Sequence, residues 1–203
     1  MSFTQHQTQQ GDLLAVVANT GDSRLVADDG SSCFRQVTRD HRPQDALERQ
    51  RLDACADAQV QLDTTSTTGQ AQAALRLYPG GLAVSRTIGD MDLCPAAVPT
   101  PDVYRISLQE QQAAAATAPT SNNNCQTIRF LLASDGLWDV LSNQDVGLLA
   151  AQRDSQGKHV SPAAAVDAVM KECLSRTGGH HDDTTVLVVD VKVWKQQKRA
   201  SAG

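Results

Sequence analysis

The stretch that most constrains the fold is Ile128–Val140, which reads Ile-Arg-Phe-Leu-Leu-Ala-Ser-Asp-Gly-Leu-Trp-Asp-Val. Its first half is an almost unbroken apolar run, too short to span a membrane and bounded by a turn, so a buried strand is expected. The run stops at Asp135-Gly136, where glycine permits a sharp turn and a carboxylate is left at the strand's exit. That carboxylate can close an Asx turn. It can equally bind a hard cation together with Asp139, the acid four residues on. The stretch by itself leaves both readings open.

Two further buried strands are expected. Leu13–Ala18 is a continuous apolar run that ends in the turn-rich Asn19-Thr20-Gly21-Asp22-Ser23-Arg24 before Leu25-Val26-Ala27 resumes. Asp29-Gly30, flanked by strand-like runs, is a hairpin signal, so the chain opens with antiparallel β structure and an acid at its first turn. Near the other end, His180-His181-Asp182-Asp183-Thr184-Thr185 leads into the apolar strand Val186–Val193. Three acidic positions, Asp22, Asp135 and Asp182 or Asp183, therefore lie at ends of buried strands. Carboxylate-only ligands select Mg²⁺ or Mn²⁺ over zinc. The two histidines admit a softer metal, although in a glycine-rich loop imidazoles are more often simply solvated.

Between these strands the signals are local. Asp40-His41-Arg42-Pro43 is extended, because a residue before proline is pushed out of the helical region. Gln44–Ala56 is rich in helix formers and reads as a short charged surface helix whose acidic start suits the helix dipole. Asp57–Leu75, built of Gln, Thr, Ser and Ala with no period, reads as a loop. Tyr104–Leu108 alternates with a period of two, and Gln109–Asn124 is a low-complexity insertion. Ser142 with Asp145 forms a capping-box pattern ahead of Val146, Leu149 and Ala150. Ser161-Pro162 starts a second helix that Gly178-Gly179 ends, with Val166, Val169, Met170, Cys173 and Leu174 on one expected apolar face. Met170 and Cys173 read as core residues.

Composition narrows the function class. At 203 residues, the chain suits one domain with a real core, and aromatics at 3% leave that core to Val, Leu, Ala and Ile. A net charge of -5 with no clustered Lys or Arg argues against nucleic-acid binding. The five scattered cysteines, Cys33, Cys55, Cys94, Cys125 and Cys173, form no Cys-x-x-Cys pair, which points to a reducing compartment rather than to disulfides or zinc. No apolar run reaches membrane-helix length and the first residues lack a signal-peptide pattern, so an intracellular protein, cytoplasmic or nuclear, is expected.

Five segments then occur in a telling order. Ala18–Arg24, Asp40–Pro43, Leu82–Asp90, Leu132–Val140 and Asp182–Val186 together resemble the metal-dependent (PPM, type 2C) protein serine/threonine phosphatases. The similarity runs from about Leu13 to Val189. It implies an α+β fold, a two-sheet antiparallel β-sandwich flanked by helices, incomplete at its N-terminus. It places a partial domain over residues 11–193 with polar loops near 57–75 and 109–124, and flexible tails at 1–10 and 194–203. It also implies hydrolysis of phosphoserine and phosphothreonine in a phosphoprotein substrate, by a water activated on Mg²⁺ or Mn²⁺.

Carried over residue by residue, Asp135 and Asp182 match ligands of the binuclear centre. Asp22 matches the acid that shares a weaker additional metal with the equivalent of Asp135, and Asp139 matches a nearby acid that orients metal-bound water. Asp183 stands where the family usually has Asn. The family's Glu-Asp pair and its Asp-Gly-His-Gly-Gly run, which supply the acid bridging the two metals, are not found in this sequence. Ala54-Cys55-Ala56-Asp57 stands where a Gly-Gly turn is common, so a remodelled flap is expected after it. The alternative to an enzyme is a phosphatase-like module that binds or regulates a partner.

Overall fold

The computed structural model describes residues 1–7, 13–28, 34–63, 74–108, 125–155, 159–179 and 182–194. The strands are β1 (Ser2–Gln7), β2 (Leu13–Asn19), β3 (Arg24–Asp28), β4 (Phe34–Gln36), β5 (Gln59–Asp63), β6 (Ala74–Tyr78), β7 (Asp102–Ser107), β8 (Cys125–Ala133) and β9 (Val186–Trp194). The helices are α1 (Ala46–Asp53), α2 (Asp135–Trp138), α3 (Asn143–Ala150) and α4 (Pro162–Thr177). Three sheets run in the orders β1-β2-β7, β4-β3-β8-β9 and β5-β6. Helices mixed with antiparallel pairs give the expected α+β class.

The chain divides into two compact units. The first comprises residues 1–3, 17–24 and 38–104, and the second 4–16, 25–37 and 105–203.

The second unit is built on the β8–β9 pair, whose nine-residue register runs from Cys125↔Trp194 to Ala133↔Val186. Leu131, Ala133 and Val188 pack against Leu137, Trp138 and Val146 to form the largest part of its core. The Ser142 hydroxyl accepts from the Asp145 N–H while the Asp145 carboxylate accepts from the Ser142 N–H, so the capping box is complete. α4 starts on the Ser161 cap with proline in its first turn and stops at Gly178 in the left-handed region, as its sequence signals require. Its buried face is centred on Ala165, Val169 and Cys173, whereas Leu174 is half exposed. Arg129 is fully buried on β8. It pairs with Asp190 directly opposite and donates to the Ala150 and Val160 carbonyls, which together occupy four of its five N–H donors.

The first unit packs Leu52, Leu77, Cys94, Ala96 and Ala97 beneath the β5–β6 hairpin. This hairpin corrects the reading of 57–75 as loop. Gln59-Val60-Gln61-Leu62-Asp63 is a strand paired with β6 from Gln59↔Tyr78 to Asp63↔Ala74. Residues 64–73 lie outside the described ones. A second correction concerns the expected tail at 1–10, where Ser2–Gln7 forms β1 beside β2. Ser2–Gln7 has one apolar residue, Phe3, and so shows no apolar period, which backbone pairing does not need. The Asp29-Gly30 turn, the 109–124 insertion, His180-His181 and residues 195–203 also fall outside the described residues. The strands flanking that turn do pair antiparallel, Asp28 opposite Phe34.

Candidate metal centre and its support

In the second unit the exit of β8 and the entry of β9 are clasped together. The Ser134 N–H donates to the Thr185 carbonyl at 3.1 Å, the Ser134 hydroxyl donates to the Asp183 carbonyl at 3.2 Å, and the Thr185 N–H donates back to that hydroxyl at 3.0 Å. Gly136 then passes so close to the facing segment that a Cβ there would lie 2.6 Å from Thr184 Oγ1 and 2.7 Å from the Asp183 carbonyl oxygen. Its φ is not positive, so glycine is required here by close approach and not by the sharp turn anticipated from sequence. The Trp138 indole N–H donates to the Ala133 carbonyl at 3.0 Å, folding α2 back onto the strand it follows.

This clasp brings Asp135 and Asp182 to one end of the sheet. Asp135 begins α2, and its Oδ1 accepts from the Gly136 N–H at 3.0 Å; Asp182 Oδ1 accepts from the Asp183 N–H at 2.7 Å. Each carboxylate is thus oriented by its own backbone and retains a second oxygen. Asp135 is half-buried, while Asp139, Asp182 and Asp183 are exposed. The Asp139 N–H donates to the Asp135 carbonyl, which places Asp139 one helical turn beyond it. Among the described residues, no three Asp, Glu, His or Cys side chains gather to enclose an ion. Two carboxylates from adjoining segments fit one hard cation completed by water, the minimum that Mg²⁺ accepts. They offer no acid to bridge a second.

Asp22 belongs to the first unit, on the turn between β2 and β3, where its Oδ2 faces Arg42 Nε at 2.9 Å. Around that turn the sequence motifs lock into each other. The Asn19 amide donates to the Gly21 and Arg39 carbonyls, both at 3.1 Å. Fully buried His41 grips Gly21 from both sides, accepting the Gly21 N–H on Nδ1 at 3.2 Å and donating its own N–H to the Gly21 carbonyl at 3.1 Å. Its Nε2 meets Asp102 Oδ2 at 3.2 Å.

Asp102 opens onto a charge network that the sequence did not disclose. Arg86 joins Asp102 Oδ1 at 2.9 Å to Glu48, whose Oε1 accepts from Arg86 Nε at 2.9 Å and from Arg86 Nη2 as well. Glu48 Oε2 accepts from the Ser85 hydroxyl at 2.8 Å and from Arg51 Nη2 at 3.1 Å. Glu48 is 1% exposed on α1, while its neighbour Leu47 is 57% exposed, so the helix read as a charged surface element turns an acid inward. Burial pushes the Glu48 carboxyl upward, but Arg86, Ser85 and Arg51 outweigh it and hold it down at about 2. Asp102 behaves alike: burial raises it, and His41 with Arg86 brings it below the usual carboxylate range. The Arg86 guanidinium is raised in turn, chiefly by its bond to Glu48. A signal existed in the repeated pairing of Arg with Asp or Ser in Asp40-His41-Arg42 and Ser85-Arg86, but partners 38 residues apart leave no local period.

Comparison with known proteins bears on the family and the fold. The family model for protein phosphatase 2C matches residues 2–181. The chain is 35% identical over 176 residues to probable protein phosphatase 2C 5 of Arabidopsis thaliana, covering 86% of this chain and 35% of that protein. It is 36% identical over 177 residues to probable protein phosphatase 2C 3 of Oryza sativa subsp. japonica, covering 86% and 31%. The chain thus spans about a third of the length of these relatives. The fold resembles a serine-threonine phosphatase 2C from Toxoplasma gondii, with a TM-score of 0.59 at 20% identity over 88% of this chain and 56% of that one. A C. elegans sex determining protein gives 0.57 at 22% identity, covering 87% and 36%. With the family model matching residues 2–181, well over half of its length, the chain belongs to the protein phosphatase 2C family.

Proposed function

We propose that the chain serves a metal-dependent protein serine/threonine phosphatase, with Asp135 and Asp182 holding Mg²⁺ or Mn²⁺ and Asp22 contributing to a weaker additional metal position. The observation that carries this reading is the clasp, which sets two carboxylates on adjoining segments and orients each by a backbone N–H. A cation held there supplies Lewis acidity and an acidified water for phosphomonoester hydrolysis. Asp135 and Asp182 orient the ion. Asp139, one turn on, offers a carboxylate to accept a hydrogen bond from water at that site. The substrate class is phosphoserine or phosphothreonine in a protein.

A second reading, a phosphatase-like module that binds a partner, rests on the absence of the Glu-Asp and Asp-Gly-His-Gly-Gly runs from this sequence. The retained acids favour the first.

Calorimetric titration with Mn²⁺ and a phosphopeptide assay separate the two readings. The chain should bind Mn²⁺ with a tighter component that Asp135→Asn removes, and hydrolysis by the chain alone should be slight because no acid among the described residues bridges two ions. Equal affinity in wild type and Asp135→Asn would refute the ligand assignment. Robust Mn²⁺-dependent turnover would refute the need for a bridging acid.

A further inference from the structure

We propose that His41 positions Asp22, acting through one ring nitrogen, Nδ1, together with its own backbone N–H. The inference rests on the reading of Asp22 as a metal ligand and concerns what fixes it. Gly21 precedes Asp22 at φ +102°, a conformation L side chains rarely adopt, so the direction of the Asp22 side chain depends on how firmly Gly21 is held. Both polar backbone atoms of Gly21 are held by His41. The ring takes the N–H at 3.2 Å and the His41 N–H reaches the carbonyl at 3.1 Å, while Ser85 N–H anchors the His41 carbonyl at 2.8 Å.

The chemistry of these contacts fixes the tautomer. A backbone N–H can only donate, so Nδ1 is an unprotonated acceptor and the ring proton lies on Nε2, facing Asp102 Oδ2. The ring therefore does two separable things. Nδ1 shapes the turn that carries Asp22, and Nε2 ties the ring to the Asp102–Arg86–Glu48 network. Asp102, below the usual carboxylate range, remains the ionised acceptor this orientation needs. Arg42, next in sequence after His41, faces Asp22 at 2.9 Å, so displacement of His41 would move both members of that pair.

The two roles can be tested apart because Asn places its amide oxygen where Nδ1 lies, whereas Gln places its amide nitrogen where Nε2 lies. Each variant of the full chain loses one of the two ring contacts, so a merely structural histidine would respond alike to both. Mn²⁺ binding is followed by isothermal titration, with free Mn²⁺ counted by electron paramagnetic resonance and folding checked by thermal melts. His41→Asn should keep the weaker Mn²⁺ component within about twofold of wild type. His41→Gln and Asp22→Asn should each weaken it by roughly fivefold or more, the worth of about one net hydrogen bond. Equal losses in the Asn and Gln variants, or none in Gln while Asp22→Asn loses the component, overturn the positioning role alone. A Mn²⁺ isotherm unchanged by Asp22→Asn overturns the ligand reading and the inference with it. A measurement on the wild type guards against misfolded variants: long-range ¹⁵N–¹H spectra should show His41 Nδ1 unprotonated and Nε2 protonated, and a proton on Nδ1 overturns the inference.

Discussion

Replacing Glu48 by Gln tests whether the first unit is held by charge. The carboxylate accepts from Arg86 through Oε1 and from Ser85 and Arg51 through Oε2. Gln has the same shape but a single acceptor oxygen, and its NH₂ must face guanidinium donors whichever way it is turned. A carboxyl whose pKa falls from 4.5 to about 2 on folding contributes about 3 kcal/mol at neutral pH. Removing one partner from a buried charge pair costs ~3–5 kcal/mol, and at 1% exposure solvent offers Glu48 little relief. Both routes agree on about 3 kcal/mol, which in a chain of this size lowers Tm by roughly 10 °C. The sign of the pH dependence follows from the same shift. The folded carboxyl binds its proton more weakly than the unfolded one, so its contribution is complete above 4.5 and is lost as pH falls through about 2. Circular-dichroism melts of wild type and Glu48→Gln should differ steadily from pH 6 to 8 and converge in acid. A Tm difference under about 2 °C at neutral pH, or one that acid does not narrow, would mean the network does not stabilise the unit as argued.

Two other substitutions probe the second unit. Gly136→Ala should destabilise by ~1–3 kcal/mol through overpacking, since its Cβ meets a backbone carbonyl at 2.7 Å, and should weaken Mn²⁺ binding by displacing Asp182; unchanged Tm and Mn²⁺ affinity would refute the close-approach argument. Ser142→Ala removes the hydroxyl that accepts the Asp145 N–H, leaves the backbone N–H of residue 142 on the Asp145 carboxylate, and should cost about 1 kcal/mol in urea unfolding, with no change in Mn²⁺ binding.

How much of this was legible depends on the distance over which each cause acts. The β8 strand, its turn at Asp135 and the caps of α3 and α4 could be read because each depends on neighbours within one or two turns. Val60 and Leu62 alternate in Gln59–Asp63, so a weak period-two signal for β5 was present but masked by the glutamines around it. Glu48 was read as outward because a charged residue in a helix rich in charge usually is. What turns it inward are Ser85 and Arg86 on a distant loop. Gly136 shows the same limit in another form. Its sequence announces a turn, while the reason for glycine is a chain segment almost fifty residues away.

The partners of each acid also rank the proposed ligands. Asp22, Asp40, Asp102 and Glu48 all face guanidinium groups, at 2.9 Å for Asp22 and 2.6 Å for Asp40. A divalent ion at Asp22 must share that carboxylate with Arg42, and the repulsion between the two cations comes off the binding free energy. Asp135 and Asp182 accept instead from neutral backbone N–H groups, which orient a carboxylate without neutralising it. The Asp135–Asp182 position should therefore bind a divalent ion more tightly than the Asp22 position, with no difference in ligand chemistry between them. The acid lies in the Ala18–Arg24 motif, and the arginine that moderates it lies in another, two residues past Asp40.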